Sequence, residues 1–268
     1  TKIGPYLFLV MINDLDLSDT SLWKFVDDTT ASEIVKKGHS SNAQAIVDKV
    51  VEWSKLNRVQ LNSDKCKEIR ISFSKQKPAF QPVVVDNKPL KVEDQAKLLG
   101  ITLNNTLTWN SHIEAIVKKV SKRLYFLVQL KRAKVSTSDL RLFYITCVRS
   151  VIDYAVPVFH CALPKYLIEE LERIQKRAMA IIFPECNYQE ALDKANICKL
   201  EDHHKHICSK LFNDIKVNTD HRLHSLLPTK HQSAYSMRNK RVFNLPKFKT
   251  SRYGNSFIIK MSKLANIA

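Results

Sequence analysis

The chain has 268 residues, 44% of them apolar and only 4 of them glycine, which suits one large or two small hydrophobic cores and excludes a disordered or fibrous protein. No GxGxxG or Walker sequence occurs, so nucleotide binding of the Rossmann or P-loop kind has no support. The formal charge is +17. The first fifty residues hold 5 of the 43 basic and 7 of the 26 acidic side chains, leaving 38 and 19 for the rest, and that surplus points to a polyanion.

Gly4-Pro5 followed by Tyr6 to Ile12 predicts a short buried helix with proline in its first turn, ended by Asn13-Asp14. Leu22–Val26 and Thr29–Val35 read as two strands joined by a turn at Asp27-Asp28. Ser40 or Ser41 then caps a helix whose Ile46, Val47, Val50, Trp53 and Leu56 share one face. Short strands are predicted at Val59–Leu61, Ile69–Phe73, Val83–Val85, Leu90–Val92 and Leu98–Ile101. Together these elements predict an α+β layer with helices over a small antiparallel sheet.

After Trp109 the pattern is helical. Asn110 or Ser111 caps a helix reaching about Lys134, and Thr137-Ser138-Asp139 starts a second, interrupted at Pro157. A third runs from Pro164 to Pro184, with Leu167, Leu171, Ile174, Ala178 and Ile181 inward, and a fourth spans Leu200 to Val217. From Leu227 the prolines, cations and scattered aromatics predict an extended tail. The expected domains are therefore residues 1–103, 104–184 and 185–268. Six cysteines without CxxC spacing, and no secretory segment, predict reduced thiols and an intracellular setting, in nucleus or cytoplasm. Cys198, His203, His204, His206 and Cys208 fit no established zinc spacing. No long apolar span or lipidation motif points to a membrane.

Three groups could carry chemistry. Asp27 and Asp28 place two like charges at a hairpin tip, where a divalent cation with a taste for hard oxygen ligands would relieve their repulsion. Such a site suits two-metal phosphoryl transfer, although Asp-Asp is also simply a good polar turn. Lys118, Lys119, Lys122, Arg123, Lys131, Arg132 and Lys134 follow one another along one helix without an intervening acid, while Leu124, Phe126, Leu127 and Leu130 form its apolar side. That helix either contacts a phosphate backbone or presents a solvated face. Tyr125 reads as a half-exposed core tyrosine, with base stacking as the alternative. In the tail, Lys230, Arg238, Lys240, Arg241, Lys247, Lys249 and Arg252 alternate with Tyr235, Phe243, Phe248 and Tyr253. They either hold a single strand or pack their aromatics on the preceding helices.

The order of the short motifs narrows the choice. Gly4-Pro5-Tyr6-Leu7-Phe8, Ile12-Asn13-Asp14-Leu15 and Phe25-Val26-Asp27-Asp28 are followed by Trp53, Leu61-Asn62 and Lys65-Cys66. Then come Lys97-Leu98-Leu99-Gly100-Ile101, Leu107-Thr108-Trp109, His112-Ile113, Arg149–Ala155 and Leu171–Ala178. This series resembles the reverse transcriptases of non-LTR (LINE-like) retrotransposons over nearly the whole chain, most weakly in the final forty residues. Phe25 and Val26 stand where many members carry tyrosine and alanine.

The resemblance implies an α+β fold: a partial reverse-transcriptase palm, then an all-α thumb and a basic C-terminal extension. It implies that Asp27 is the main metal ligand and Asp28 its neighbour. Lys65 matches the residue that approaches the incoming triphosphate and protonates the leaving pyrophosphate, with a solvated turn lysine as the plainer account. Leu99-Gly100 matches the hairpin that grips the primer end. It further implies an RNA template, a DNA primer and dNTP as partners, Mg²⁺ or Mn²⁺ as cofactor of the intact parent, and no small-molecule cofactor. The family's other aspartate and Gln-Gly pair lie before the position of Thr1, so the chain reads as a cut piece with weak or no metal binding and no polymerase activity alone. The alternative is a non-catalytic nucleic-acid-binding remnant of a decayed element.

Overall fold

The computed structural model describes residues 3–16, 21–231 and 242–267. The chain divides after Thr108 into two compact units. The first is mixed α+β and the second is helical.

Unit 1 begins with helix α1 (Ile3–Asn13), which forms as predicted but is not buried: Tyr6 and Val10 are 71% and 73% exposed, and Ile12 alone in it is buried. Strands β1 (Ser21–Phe25) and β2 (Asp28–Ser32) make the predicted hairpin. Asn42, not Ser40 or Ser41, is the N-cap of helix α2 (Ala43–Leu56); Ser41 Oγ accepts from Ala43 N at 3.1 Å, and Glu33 Oε2 accepts from Asn42 N at 2.9 Å. Ile46 is buried on its inner face, but Leu56 is 77% exposed. No strand forms at 59–61. Arg58 takes a left-handed φ of 54°, Val59 N bonds back to Ser54 O at 2.8 Å, and these residues are spent closing the helix.

The remaining strands are short: β3 (Lys67–Ile69), β4 (Val84–Val85), β5 (Lys88–Pro89), β6 (Lys91–Glu93), β7 (Gln95–Leu98) and β8 (Ile101–Asn104). Instead of one antiparallel sheet there are four two-stranded ladders, and β3 pairs with β6 in parallel. The expected arm through Ile71 and Phe73 stops at Ile69, because Arg70 donates to Phe80 O at 2.8 Å and Gln81 O at 3.1 Å and the intervening chain loops out. The Gln44 side-chain amide stands in for a strand neighbour, donating to Val84 O at 2.9 Å and accepting from Val84 N at 2.7 Å. That pair ties α2 to β4.

Unit 2 contains α3 (Asn110–Arg132), α4 (Thr137–Phe143), a π-helical segment (Tyr144–Arg149), α5 (Ser150–Asp153), α6 (Val156–Phe159), α7 (Lys165–Ile182), α8 (Tyr188–Ala195), α9 (Leu200–Val217), α10 (Ser251–Gly254) and α11 (Phe257–Ala265). Trp109, not Asn110 or Ser111, is the N-cap of α3. The break foreseen at Pro157 falls at Tyr154 and at Ala155, whose φ is 55°, and Pro157 sits in the first turn of α6, where its missing N–H costs nothing. Helix α8 was not foreseen, although Asn187 and Glu190 form a complete capping box. The end of the expected tail is the helix α11, whose Ile259 and Met261 are buried.

One apolar core runs from Ile113 through α4, α7, α8 and α9 to Phe243 and Met261. The run Thr137–Ala162 is long and apolar enough to cross a membrane by length and composition. Its Leu140, Tyr144, Val148, Ile152, Val156 and Phe159 are all fully buried in this core, while Leu142, Tyr154 and Val158 are more than half exposed.

Gln175 lies in the middle of that core, fully buried. It accepts from Tyr144 Oη at 2.7 Å and donates to Tyr188 Oη and Cys198 O, both at 3.0 Å. Tyr188 in turn donates to Glu172, whose Oε2 accepts the α9 amides Leu200 N at 3.0 Å and Glu201 N at 3.3 Å. A carboxylate at a helix N-terminus is favoured by the helix dipole. Gln175→Ala leaves several buried groups without partners, and we expect a loss of about 3 kcal/mol in urea unfolding. A loss below about 1 kcal/mol would show the network to be dispensable.

A second polar cluster, with His160 and His204 buried and Asp153 and His203 half-buried, joins α5 to α9. Asp153 accepts from His203 Nε2 at 3.0 Å and His204 Nε2 at 3.1 Å, and the His160 ring stands edge-on to His204 at 5.1 Å. Burial first, and then the charges of His204, Lys260 and Lys205 against the opposing Glu201, hold His160 down to about 4. The unfolded chain therefore takes up a proton below about pH 6.5 that the folded chain refuses. Stability should fall by about 3 kcal/mol from this residue as pH drops from 6.5 to 4, and chemical denaturation of His160→Leu should show a correspondingly shallower fall.

Candidate functional site

The two carboxylates lie at the tip of the expected hairpin, with the turn one residue earlier than the expected Asp27-Asp28. The β1–β2 register pairs Phe25 with Asp28, so Val26 and Asp27 form a two-residue turn. Val26 has a φ of 55°, a conformation that a β-branched side chain adopts at a cost of about 1–2 kcal/mol. Asp27 and Asp28 are both exposed, and among the described residues neither carboxylate is engaged in a hydrogen bond or ion pair. Their oxygens are hard donors suited to Mg²⁺ or Mn²⁺. Among the described residues no third His, Cys, Asp or Glu joins them, nor do Cys198, His203, His204, His206 and Cys208 form a metal site. The pair therefore fits a divalent ion as half a site.

What holds this hairpin is a residue that the motif pattern leaves unremarked. Lys24 Nζ donates to Ile12 O at 2.9 Å, Asn13 O at 3.1 Å and Leu15 O at 2.8 Å. A cation thus closes the carbonyl end of α1 and anchors β1 beside it. Trp53 Nε1 donates to Asp14 Oδ1 at 2.9 Å, so the Asn13-Asp14 turn is tied to α2 as well. The sequence signal for Lys24 is a lone cation between the apolar Leu22-Trp23 and Phe25.

Lys65 closes a turn in which its N–H donates to Asn62 O at 3.0 Å and Oδ1 at 3.2 Å, and its side chain is exposed. Leu99 and Gly100 form the two-residue turn of the β7–β8 hairpin, with Leu98 opposite Ile101, and not the buried strand that their apolar run predicts. Their φ angles of 45° and 84° are those of a hairpin turn in which both central residues are left-handed. Leucine in that place is 41% exposed, where asparagine or glycine would be unstrained. No hydrogen bond or ion pair among the described residues links the side chains of Asp27, Asp28 and Lys65 to one another.

In unit 2 the basic run of α3 divides. Arg123 donates to Cys147 O and Lys131 to Ile182 O at 3.0 Å, so these two cations fasten α3 to its neighbours. Lys118, Lys119, Lys122, Arg132 and Lys134 are exposed. Leu124 and Leu127 are buried beneath them, but Phe126 is 57% exposed and does not belong to the apolar side. Tyr125, read as half-buried, is 60% exposed. Of the tail, Lys230, Lys247, Lys249 and Arg252 are exposed, Phe243 is buried in the core, and Tyr235, Arg238, Lys240 and Arg241 lie outside the described residues.

Comparison with known proteins bears on these features. The chain is 23% identical over 192 residues to a probable RNA-directed DNA polymerase from transposon X-element of Drosophila melanogaster, covering 67% of this chain and 21% of that protein. It is 26% identical over 202 residues to a probable RNA-directed DNA polymerase from transposon BS of the same organism, covering 69% and 22%. The RNA-directed DNA polymerase from its mobile element jockey is 23% identical over 180 residues, covering 62% and 19%. The chain is homologous to the RNA-directed DNA polymerases of transposable elements. It spans about a fifth of the length of the curated relatives it matches. The profile of one family, described as alkylated DNA repair protein alkB homolog 8, N-terminal, matches residues 109–150, which cover α3 and the helices that follow it. No solved structure matches the chain.

Lys24→Met should release the Asp27-Asp28 hairpin. We expect amide exchange at residues 22–32 to quicken about tenfold while α3 is unchanged, given about 1.4 kcal/mol from charge-assisted bonds. Unchanged exchange would mean that the β1–β2 ladder stands without this anchor.

Proposed function

We propose that the chain is the C-terminal part of the palm, with the thumb, of a non-LTR (LINE-like) retrotransposon reverse transcriptase, which extends a DNA primer on an RNA template with dNTP. The observation that carries this reading is Phe25-Val26-Asp27-Asp28 at a hairpin tip in a chain homologous to transposon polymerases. The motif residues also explain one another physically: Asp14 bonds Trp53, and Glu172 and Gln175 build the network of the second unit.

In the whole polymerase Asp27, with Asp28 beside it, would hold Mg²⁺ or Mn²⁺, which supplies charge neutralisation to the attacking and leaving oxygens. Lys65 presents an ammonium without an ion pair among the described residues, suited to meet the triphosphate and give a proton to the leaving pyrophosphate. The Leu99-Gly100 turn offers an exposed leucine on a strained loop to the primer end. Lys118, Lys119, Lys122, Arg132 and Lys134 line the primer-template phosphates, which fixes position without reading sequence.

The test is binding of a labelled RNA–DNA primer-template across a salt series, followed by primer extension. Five exposed cations predict submicromolar binding with a log–log salt slope near about −4, retained in Asp27→Ala. With only two carboxylates at the turn, the chain alone should show no Mg²⁺-dependent incorporation above the Asp27→Ala background. Weak, salt-insensitive binding would overturn the thumb assignment and leave the basic face a solvated surface.

A further inference from the structure

The exposed side of α3 carries more than charge. Tyr125 and Phe126 are adjacent, and their rings meet edge to face with centroids 5.8 Å apart at an interplanar angle of 71°. Both lie more than half in water, in a helix whose Ile113, Val120 and Leu127 are fully buried. Lys122 stands one turn before this pair. Lys118 stands a further turn back and Arg132 lies beyond it, all three exposed. At 1.5 Å per residue the stretch from Lys118 to Arg132 covers about 20 Å, comparable to about six nucleotides of a stacked strand. No acidic side chain occurs between Lys118 and Arg132.

A duplex would use only the cations of such a face, because its bases are stacked on one another and closed to an aromatic side chain. An unpaired strand would use both, since its phosphates meet the lysines while its bases offer open π-faces to the rings. Water-exposed aromatics set among cations therefore match a single strand in both charge and surface chemistry. We propose that Tyr125 and Phe126 form a base-stacking platform by which α3 holds single-stranded nucleic acid, without dependence on sequence. This inference rests on the assignment of α3 as a phosphate-binding helix and names what that helix prefers to hold.

The experiment uses the full chain and two fluorescein-labelled probes, a 12-nucleotide single-stranded RNA and the same RNA annealed as a blunt duplex. Tyr125→Ala combined with Phe126→Ala should weaken single-strand binding by tenfold or more and leave duplex binding within about twofold. Tyr125→Phe should bind as the wild type does, because the ring and not the hydroxyl stacks. Lys118→Ala combined with Lys122→Ala should weaken both probes. Tyr125→Trp should show fluorescence quenching on adding the single strand and little on adding the duplex, a readout independent of any change in stability. Loss of binding in the lysine variant with none in the aromatic variant would overturn the platform and leave the basic face standing. Wild-type binding in both variants, or no binding by the wild type, would overturn both.

Discussion

The second unit depends on one buried amide. Gln175 has no contact with water, so each of its hydrogen-bonding groups must be satisfied by protein, and its partners come from three separate stretches of chain. Tyr144 fixes the π-helical segment against α7, Tyr188 fixes α8, and Cys198 O fixes the approach to α9. Through Tyr188 the same system reaches Glu172, which receives the first amides of α9. Apolar packing alone would let these helices slide by a fraction of a turn at small cost. The amide makes one arrangement much better than its neighbours.

Unit 1 is built on a different principle. Its ladders are two strands wide and its helix α1 is largely exposed, so apolar burial contributes little to its order. Single polar ties do most of the positioning: Lys24 on the end of α1, Trp53 on Asp14, Gln44 on Val84 and Arg70 on the 80–81 backbone. Each tie fixes a turn or a strand end, and the first also anchors the strand that leads to Asp27 and Asp28.

How much of this could be read from the sequence follows the same division. Long periodic segments were plain: α7 has the predicted inner face and α9 the predicted ends, because an amphipathic stripe over several turns has one physical reading. The carboxylate hairpin was also plain from its two short strands, although its turn falls on Val26-Asp27, one residue before the expected Asp27-Asp28. The Leu98–Ile101 run misled, since leucine and isoleucine favour strands and nothing in residue type announces a left-handed leucine. Its likeness to a hairpin motif carried the information that propensity lacked. Gln175 was hidden because its place on the wheel of α7, between Leu171 and Ala178, says nothing of the tyrosines that arrive from elsewhere in the chain. Phe126 was hidden for the converse reason: an aromatic residue beside leucines reads as core, whereas Tyr125 had already been open to a stacking role.

The π-helical segment at Tyr144–Arg149 has a further consequence for how the chain can vary. A wider turn accommodates an extra residue within a helical run, and each residue added or removed rotates everything beyond it by about 100°. Asp153 meets His203 and His204 only because that rotation has been made. Removing one residue anywhere in the segment would restore an ordinary helix and swing the carboxylate away from both imidazoles. The segment therefore acts as a ratchet tooth: side chains along its outer edge are free to change, while its length is not.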